Sequence, residues 1–172
     1  MRRTLVIAVA LVAAVVGVLV GAIAASGGSS ASSASEQQMR RNSDFWEIDQ
    51  LEKSFHKATT KKDIDLMASL FAPNATLTVP GTTAVGRRAI RQFWLTKGKS
   101  FQPDNTWISE TPPYKVRITV NGDRGTLYFE CHYVDAKTGK VAAVTAADGD
   151  VARINGRWLI TSLAGASAPL SP

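Results

Sequence analysis

Three titratable side chains in the C-terminal half of the chain have types and spacing that suit proton transfer. Glu130 and His132 lie two residues apart in a segment of alternating polarity, so on a β-strand both side chains point to the same side. Histidine titrates near neutral pH, and a neighbouring carboxylate can act with it as an acid–base pair. Asp148 lies in a second strand-like segment. We therefore treat Glu130, His132 and Asp148 as candidate acid–base residues.

The predicted turn at Asn121-Gly122 decides which way Glu130 and His132 face. If its loop has an even length, the apolar residues of the segment, Phe129 among them, face the core, and Glu130 and His132 face outward within reach of Lys115. An odd loop with a bulge reverses this arrangement. The sequence leaves both arrangements open, so the pair is either a pocket acid–base pair or part of a polar outer face.

The position of Asp148 depends in the same way on the turn between Asp135 and Lys140. An even loop places Asp148 on the apolar face, where a carboxylate needs a partner or a raised pKa. The alternative is a bend at Gly149 that turns Asp148 to water. Asp148 is therefore a candidate pocket acid only in the first case.

The elements that must position these side chains follow from hydrophobic periodicity. Asp44-x-x-Glu47 has the form of a capping box and predicts the start of a first helix, with Phe55 on its apolar stripe. Asp63 caps a short second helix, and a third helix follows Gly86. A period of two after residue 106 predicts antiparallel strands. Helices followed by an antiparallel sheet indicate an α+β fold.

The N-terminal part of the chain has a different composition. Residues 1–25 comprise two arginines and a long apolar run, which predicts an uncleaved membrane anchor with the domain on the extracytoplasmic side; a cleaved signal and secretion remain the alternative. Residues 26–43 begin with a Gly/Ser/Ala-rich stretch and predict a flexible linker. The folded domain is expected at 44–164, and residues 165–172 form a tail.

Composition excludes several classes of protein. One cysteine, Cys131, allows no intrachain disulfide, and with only two histidines we expect no metal site and no cofactor. The net charge of +6 comes from scattered Lys and Arg residues that are not interleaved with aromatic residues, so we expect no nucleic-acid partner. The membrane, a small apolar ligand and a second copy of the chain are the partners that the sequence allows.

Three segments in this order resemble the nuclear transport factor 2-like superfamily and its SnoaL-like and ketosteroid-isomerase-like branches. They are KKDIDLMASLFAPNATLTVPG, GRRAIRQFW and GDVARINGRWLITSL. The resemblance implies a cone-shaped α+β barrel in which three helices pack on a curved antiparallel sheet. It does not imply one reaction, because this fold carries enzymes, ligand pockets and interaction modules.

The resemblance also implies positions for isomerase chemistry, which needs a carboxylate base, a tyrosine and a protonated aspartate. The base position falls on Val79 or Thr78, and the tyrosine position falls on Phe55. The aspartate position falls on Ala147, next to Asp148. At least two of the three groups are missing, so we do not expect ketosteroid isomerase activity.

Three functional hypotheses follow. The first is a domain that binds a small hydrophobic ligand without catalysis. Its candidate lining residues are Phe55, Val79, Trp94, Phe129 and Trp158. The second is a SnoaL-like lyase, isomerase or hydrolase that uses Asp148 or the Glu130–His132 pair. The third is a dimerising interaction module of an envelope complex.

Overall fold

The computed structural model describes the backbone of residues 5–168 and the side chains of residues 33–168. Contacts along the chain separate a unit ending at Asn42 from a second unit that begins at Ser43, one residue before the predicted start of the domain. The second unit carries all the strands discussed below. The predicted anchor, residues 1–25, lies outside the residues whose side chains are described.

Three helices, two 3-10 turns and seven strands follow one another along the described chain. The helices are α1 (Leu5–Lys61), α2 (Ile64–Ser69) and α3 (Arg87–Thr96), and the 3-10 turns are Lys99–Phe101 and Pro113–Lys115. The strands are β1 (Phe71–Val79), β2 (Thr82–Val85), β3 (Trp107–Glu110), β4 (Arg117–Asn121), β5 (Arg124–Asp135), β6 (Val141–Ile154) and β7 (Arg157–Ser167).

The strands form one curved sheet in the order β2-β1-β7-β6-β5-β3, and β4 pairs with β5 as well. β1 and β7 pair in parallel, and the other neighbours are antiparallel. This is the predicted α+β architecture, with few helices and a curved sheet. The core contains Ile48 and Phe55 of α1, Met67 of α2, Ile90 of α3 and Phe129 of the sheet.

Helix α1 does not begin at the predicted capping box. Residues 33–43, part of the predicted flexible linker, are helical, because residues such as Glu36, Gln37 and Met39 favour helix and extend one that is already packed. Asp44 and Glu47 instead contact the guanidinium group of Arg153 on β6, with 3.5 Å between Arg153 Nη1 and Glu47 Oε2. Among the residues with described side chains, no helix is long and apolar enough to cross a membrane.

Two local contacts fix the smaller helices. The Asp63 side chain accepts a hydrogen bond of 2.9 Å from the backbone N–H of Leu66. Asp63 is therefore the N-cap of α2, as predicted. The guanidinium group of Arg87 donates two hydrogen bonds, of 2.9 and 2.6 Å, to the carbonyl oxygen of Phe71. This charge-assisted pair ties the start of α3 to β1 and holds the aromatic side chains of α3 over the sheet.

The predicted C-terminal tail is partly strand. Gly165, Ala166 and Ser167 extend β7 and pair with Ala147, Ala146 and Thr145 of β6. Backbone pairing needs no apolar side-chain pattern, which is why the sequence did not indicate this extension. Residues 169–172 lie outside the described residues.

Gly149 is packed too closely for a side chain. A Cβ atom there would lie 2.2 Å from the carbonyl oxygen of Ser162 and 2.9 Å from Leu163 Cδ1. The neighbouring strand therefore requires a glycine at this position, whereas the sequence suggested that Gly149 serves a bend.

We predict that Gly149→Ala lowers the free energy of unfolding by about 1–3 kcal/mol, since β6 and β7 must separate to admit the methyl group. The matched control is Asp148→Ala on the same strand, where the side chain is exposed and the change should stay within about 0.5 kcal/mol. Urea titrations of both variants measure the difference. Equal stabilities would contradict the close packing of β6 on β7.

Candidate functional site

A cavity of about 230 Å³ lies between the helices and the inner face of the sheet. Its apolar walls come from α1, β1, α3 and β7, and its polar atoms come mainly from β5, β6 and the end of β7. The apolar side chains include Phe55, Leu77, Val79, Phe93, Trp94 and Leu163, and the polar ones are Cys131, Tyr133, Thr145 and Ser167. The cavity is therefore an apolar chamber with a few uncharged polar groups.

Three of the five predicted pocket residues line this cavity. Phe55, Val79 and Trp94 contribute directly to its walls. Phe129 is fully buried behind Phe55, with an edge-to-face contact of 5.1 Å between ring centroids, so it supports the wall without forming it. The remaining residue, Trp158, lies elsewhere.

Trp158 is the second residue of β7, whereas the cavity is lined by the second half of that strand. Leu163, the first cavity residue of β7, lies five residues further on, about 16 Å along an extended strand. Trp158 lines a separate groove next to Leu70, and the guanidinium group of Arg153 lies 5.0 Å from its ring centroid. The prediction that Trp158 is a cavity residue is therefore not supported by its position.

The positions that the resemblance assigns to isomerase chemistry meet in this cavity. Val79 stands at the base position, Phe55 at the tyrosine position and Ala147 at the aspartate position, and all three line the chamber. Thr78, the alternative base position, lies in a shallow depression that also includes Tyr128 and Asp148. The fold thus brings the expected positions together, but it fills them with side chains that cannot transfer protons.

The polar side chains at the cavity wall are uncharged at neutral pH. Cys131 is opposite Thr145 in the sheet, and burial raises the pKa of its thiol to about 12, although hydrogen bonds with Thr145 and Tyr133 oppose the shift. Burial also raises the pKa of the Tyr133 hydroxyl well above its usual value of 10. Neither group is an effective acid, base or nucleophile near pH 7.

Asp148 is exposed and does not reach the cavity. An even loop after Asp135 pairs Val134 with Val141, but beyond it Tyr133 pairs with Ala143, so one extra residue is inserted in β6. This bulge shifts the register by one and places Asp148 opposite Tyr128 instead of Leu127. Of the two arrangements that the sequence left open, the structure has Asp148 turned to water, through this bulge and not through a bend at Gly149, and Ala147 takes the inward position.

Glu130 and His132 also face away from the cavity. The even Asn121-Gly122 turn, with Ile118 opposite Leu127, puts Cys131 inward and its two neighbours outward. Glu130 lies 3.3 Å from Lys115 Nζ, as predicted, and 3.4 Å from His132 Nε2. Burial raises the pKa of the Glu130 carboxyl, but hydrogen bonds from Tyr128, His132 and Lys115 outweigh it and lower the pKa below its usual value. The pair therefore belongs to an ion-pair cluster on the outer face.

A second polar cluster joins α1 to β3 and was missed in the sequence. Glu52 and His56 are buried and one helical turn apart, with Glu52 Oε1 2.8 Å from His56 Nε2. His56 Nδ1 lies 2.6 Å from Ser109 Oγ, and His56 Nε2 lies 2.6 Å from Thr111 Oγ1. The i, i+4 spacing of Glu52 and His56 was the only signal in the sequence, because Ser109 is distant along the chain.

The hydrogen bonds of this cluster define the tautomer of the histidine ring in its neutral form. The Thr111 hydroxyl donates to the carbonyl oxygen of Glu130, so its oxygen accepts from His56 Nε2–H. Nδ1 of the neutral ring is then the acceptor for the Ser109 hydroxyl. Glu52 Oε1 makes no aligned hydrogen bond among the described residues, so its contact with His56 is electrostatic. The cluster borders a cleft of about 390 Å³ that also includes Asp49, Lys53 and Glu110.

Within residues 33–168, no three His, Cys, Asp or Glu side chains are placed so that they could hold a metal ion.

A model of the SnoaL-like domain matches residues 40–164. The chain belongs to the SnoaL-like domain family. This confirms the family named from the sequence, and the matched residues include both the cavity and the cleft. No curated protein sequence matches the chain closely enough to count as a relative.

Solved structures with the same fold support the architecture. An NTF2-like protein with a cystatin-like fold from Novosphingobium aromaticivorans is 20% identical, with a TM-score of 0.68 over 78% of this chain and 88% of that one. A protein of unknown function from Nostoc punctiforme is 21% identical, with a TM-score of 0.64 over 75% and 94%. A hexachlorocyclohexane dehydrochlorinase, LinA-type3, from Novosphingobium barchaimii is 16% identical, with a TM-score of 0.63 over 78% and 93%. At these identities the likeness establishes the fold alone.

The raised pKa of Cys131 predicts an inert thiol. At pH 8 the native thiol should react with iodoacetamide on the order of 10³-fold more slowly than in urea, because a rise from 9.0 to about 12 lowers the thiolate fraction by that factor. The folded state favours the protonated thiol, so this contribution to stability is present below pH 9 and is lost as the pH rises toward 12. Intact-mass measurement reads the single cysteine directly. Rapid native alkylation at pH 8 would show that Cys131 is accessible and ionised.

Proposed function

We propose that the SnoaL-like domain binds a small apolar molecule in the 230 Å³ cavity and carries out no ketosteroid isomerase chemistry there. The observation that carries this proposal is the convergence of Phe55, Val79 and Ala147 at the three positions where isomerase chemistry would need polar groups. Removal of apolar surface from water provides the binding free energy. The neutral Cys131 and Tyr133 leave the cavity without a group suited to proton transfer at pH 7.

The size of the cavity limits the ligand. An engineered cavity of about 150 Å³ in another protein admits benzene, whereas drug-sized ligands occupy pockets of about 300–1,000 Å³. A chamber of about 230 Å³ suits a molecule of one or two rings. A four-ring steroid exceeds it. The ligand is therefore expected to be a compact hydrocarbon-like metabolite.

The matched pair Ala147→Leu and Ala164→Leu tests this proposal with indane as the probe. We expect the native domain to bind indane saturably, with a dissociation constant of about 1 mM or lower. Ala147 lines the cavity, so Ala147→Leu should weaken binding at least about tenfold by filling it. Ala164 is exposed and outside this cavity, so Ala164→Leu should bind like the native domain.

Binding is measured by NMR titration of backbone amides, with the cavity residues Leu77, Cys131 and Ala147 as reporters. Absence of saturable shifts in the native domain, or equal binding by both variants, would refute ligand binding in this cavity.

A second candidate function is acyl transfer in the polar cleft, favoured by the order Ser109–His56–Glu52. Ser109 Oγ would attack an ester carbonyl carbon while its proton passes to His56 Nδ1, 2.6 Å away. Collapse of the adduct would expel the alcohol, which takes that proton, and water would then release the acid. The carboxylate of Glu52, 2.8 Å from Nε2, would stabilise the charged ring. This candidate replaces Asp148 and the Glu130–His132 pair, which lie on the outer face.

A fluorophosphonate probe tests the second candidate. An activated Ser109 would form an O–P bond, release fluoride and transfer its proton to His56. Intact mass should then show one adduct that is absent in Ser109→Ala and slower to form in Glu52→Gln. Ser100→Ala is the control for a buried serine outside the cleft. No adduct in the native protein would leave the cluster with a structural role only.

The cellular location and the assembly also remain proposals. The apolar run and the preceding arginines support an anchored domain outside the cytoplasmic membrane, with secretion after cleavage as the alternative. The outer sheet face supports a homodimer less well, because Lys115, Arg117, Glu130 and Asp148 make it polar and charged.

A further inference from the structure

Three glycines lie inside the strands of the described chain, and close backbone packing requires two of them. A Cβ atom on Gly125 or on Gly149 would lie 2.3 Å or 2.2 Å, respectively, from a carbonyl oxygen of a neighbouring strand. Gly165 on β7 is different. The heavy atom nearest to a Cβ atom there would be Val79 Cγ1, at 3.7 Å, which is an ordinary van der Waals distance. The packing of the domain therefore has room for a methyl group at position 165.

The backbone does not require a glycine at position 165 either. The φ angle of Gly165 lies outside the left-handed region that side chains avoid, and its ladder with β6 has no register shift at this point. A glycine inside a strand is unfavourable, because it has no side chain to pack and loses the most conformational freedom on folding. Glycine at such a position is typical of a strand whose backbone a ligand approaches closely.

The missing side chain of Gly165 would project into the cavity. Gly165 pairs with Ala147, which is buried and lines the cavity. Directly opposite residues of an antiparallel pair project to the same face of a sheet, so position 165 faces inward as well. Gly165 and its nearest neighbour, Val79, both line the cavity. The space that the glycine leaves free therefore belongs to the cavity.

The two sides of the cavity differ in shape. The sheet side includes the small residues Ala147 and Gly165, whereas the helix side carries the rings of Phe55, Phe93 and Trp94. No charged side chain lines the cavity, so a charged ligand would be buried without a counter-charge. A flat, uncharged ring system fits between the low sheet wall and the aromatic wall.

We infer that Gly165 determines the specificity of the cavity: its missing side chain admits the second ring of a flat, uncharged ligand with two fused rings. This inference rests on the proposed binding function and narrows the ligand from one or two rings to two. The edge of the second ring lies against the backbone of β7, in the space that an alanine methyl group would fill. The glycine lowers the stability of the free domain, and a bound ligand that fills this space offsets the loss.

The test compares benzene with indane, which carries a second fused ring, in the native domain and in Gly165→Ala. Calorimetric titration should show the native domain binding indane about tenfold more tightly than benzene, because the additional CH2 groups are buried. The added methyl group occupies the space of the second ring. Gly165→Ala should therefore weaken indane binding at least about tenfold and change benzene binding by less than about threefold. Ala164→Leu, which alters the adjacent exposed side chain, should retain the native preference.

Thermal unfolding without ligand distinguishes a glycine that leaves room for a ligand from one that the fold requires. Gly165→Ala should melt about 2–5 °C above the native domain, because alanine fits this position and restricts the unfolded chain. Gly125→Ala should melt below the native domain, since its methyl group would meet a carbonyl oxygen. A lower melting temperature for Gly165→Ala would show that the fold itself requires this glycine and would overturn the inference.

The binding outcomes separate the inference from the proposed function. If the native domain binds neither compound, the binding function and this inference both fail. If Gly165→Ala binds indane as tightly as the native domain does, binding stands and the role of Gly165 is overturned. If the native domain binds benzene as tightly as indane, binding stands and the preference for two rings is overturned.

A measurement on the native domain depends on no variant. In a glycine one Hα atom takes the direction of the side chain, so bound indane should give intermolecular NOEs to an Hα atom of Gly165 and none to the exposed methyl group of Ala164. Saturating indane without an NOE to Gly165 would overturn the inference.

Discussion

The pairing register between β5 and β6 determines the chemistry of the whole interior. One inserted residue after the Asp135–Lys140 turn shifts the pairing of every later residue of β6 by one position, so that Asp148 lies opposite Tyr128. Ala147 and Thr145 consequently face the helices, and Asp148 faces water. Had the ladder formed without the bulge, the carboxylate of Asp148 would have stood opposite Leu127 on the inner face. The apolar character of the cavity therefore depends on a single backbone irregularity.

The low polarity of this interior then controls its few polar groups. Cys131 and Tyr133 are held in their neutral forms because the surrounding side chains cannot solvate a charge. The ionisable side chains that form ion pairs lie elsewhere. Glu130, Lys115 and His132 form one cluster on the outer face of the sheet, and Glu52 and His56 form another on α1. Cavity and cleft thus differ in their chemistry: the lining of the cavity has no charged side chain, and the cleft places a hydroxyl, an imidazole and a carboxylate in sequence.

Much of the fold could be predicted from the sequence, because its signals are local. Hydrophobic periodicity, the Asp63 cap and the Asn121-Gly122 turn predicted most of the elements, whereas the inward face of β5 depended on a loop length that the sequence left open. The bulge in β6 could not be predicted, since Ala142 and Ala143 carry no residue type that marks an insertion. The helical residues 33–43 were assigned to a linker because Gly, Ser and Ala dominate the residues before them. The role of Ser109 depends on a contact with α1 that no local pattern encodes.

Paired cysteine substitutions test the register of β5 and β6 most directly. In a Cys131→Ala background, Ala147→Cys and Asp148→Cys place a thiol at two adjacent positions of β6, and their alkylation rates by iodoacetamide at pH 8 are compared in the native state. The structure predicts rapid modification at position 148 and protection at position 147, because only the former side chain is exposed. Protection at 148 with rapid modification at 147 would place the carboxylate of Asp148 inside the cavity and contradict a chamber without proton-transfer groups.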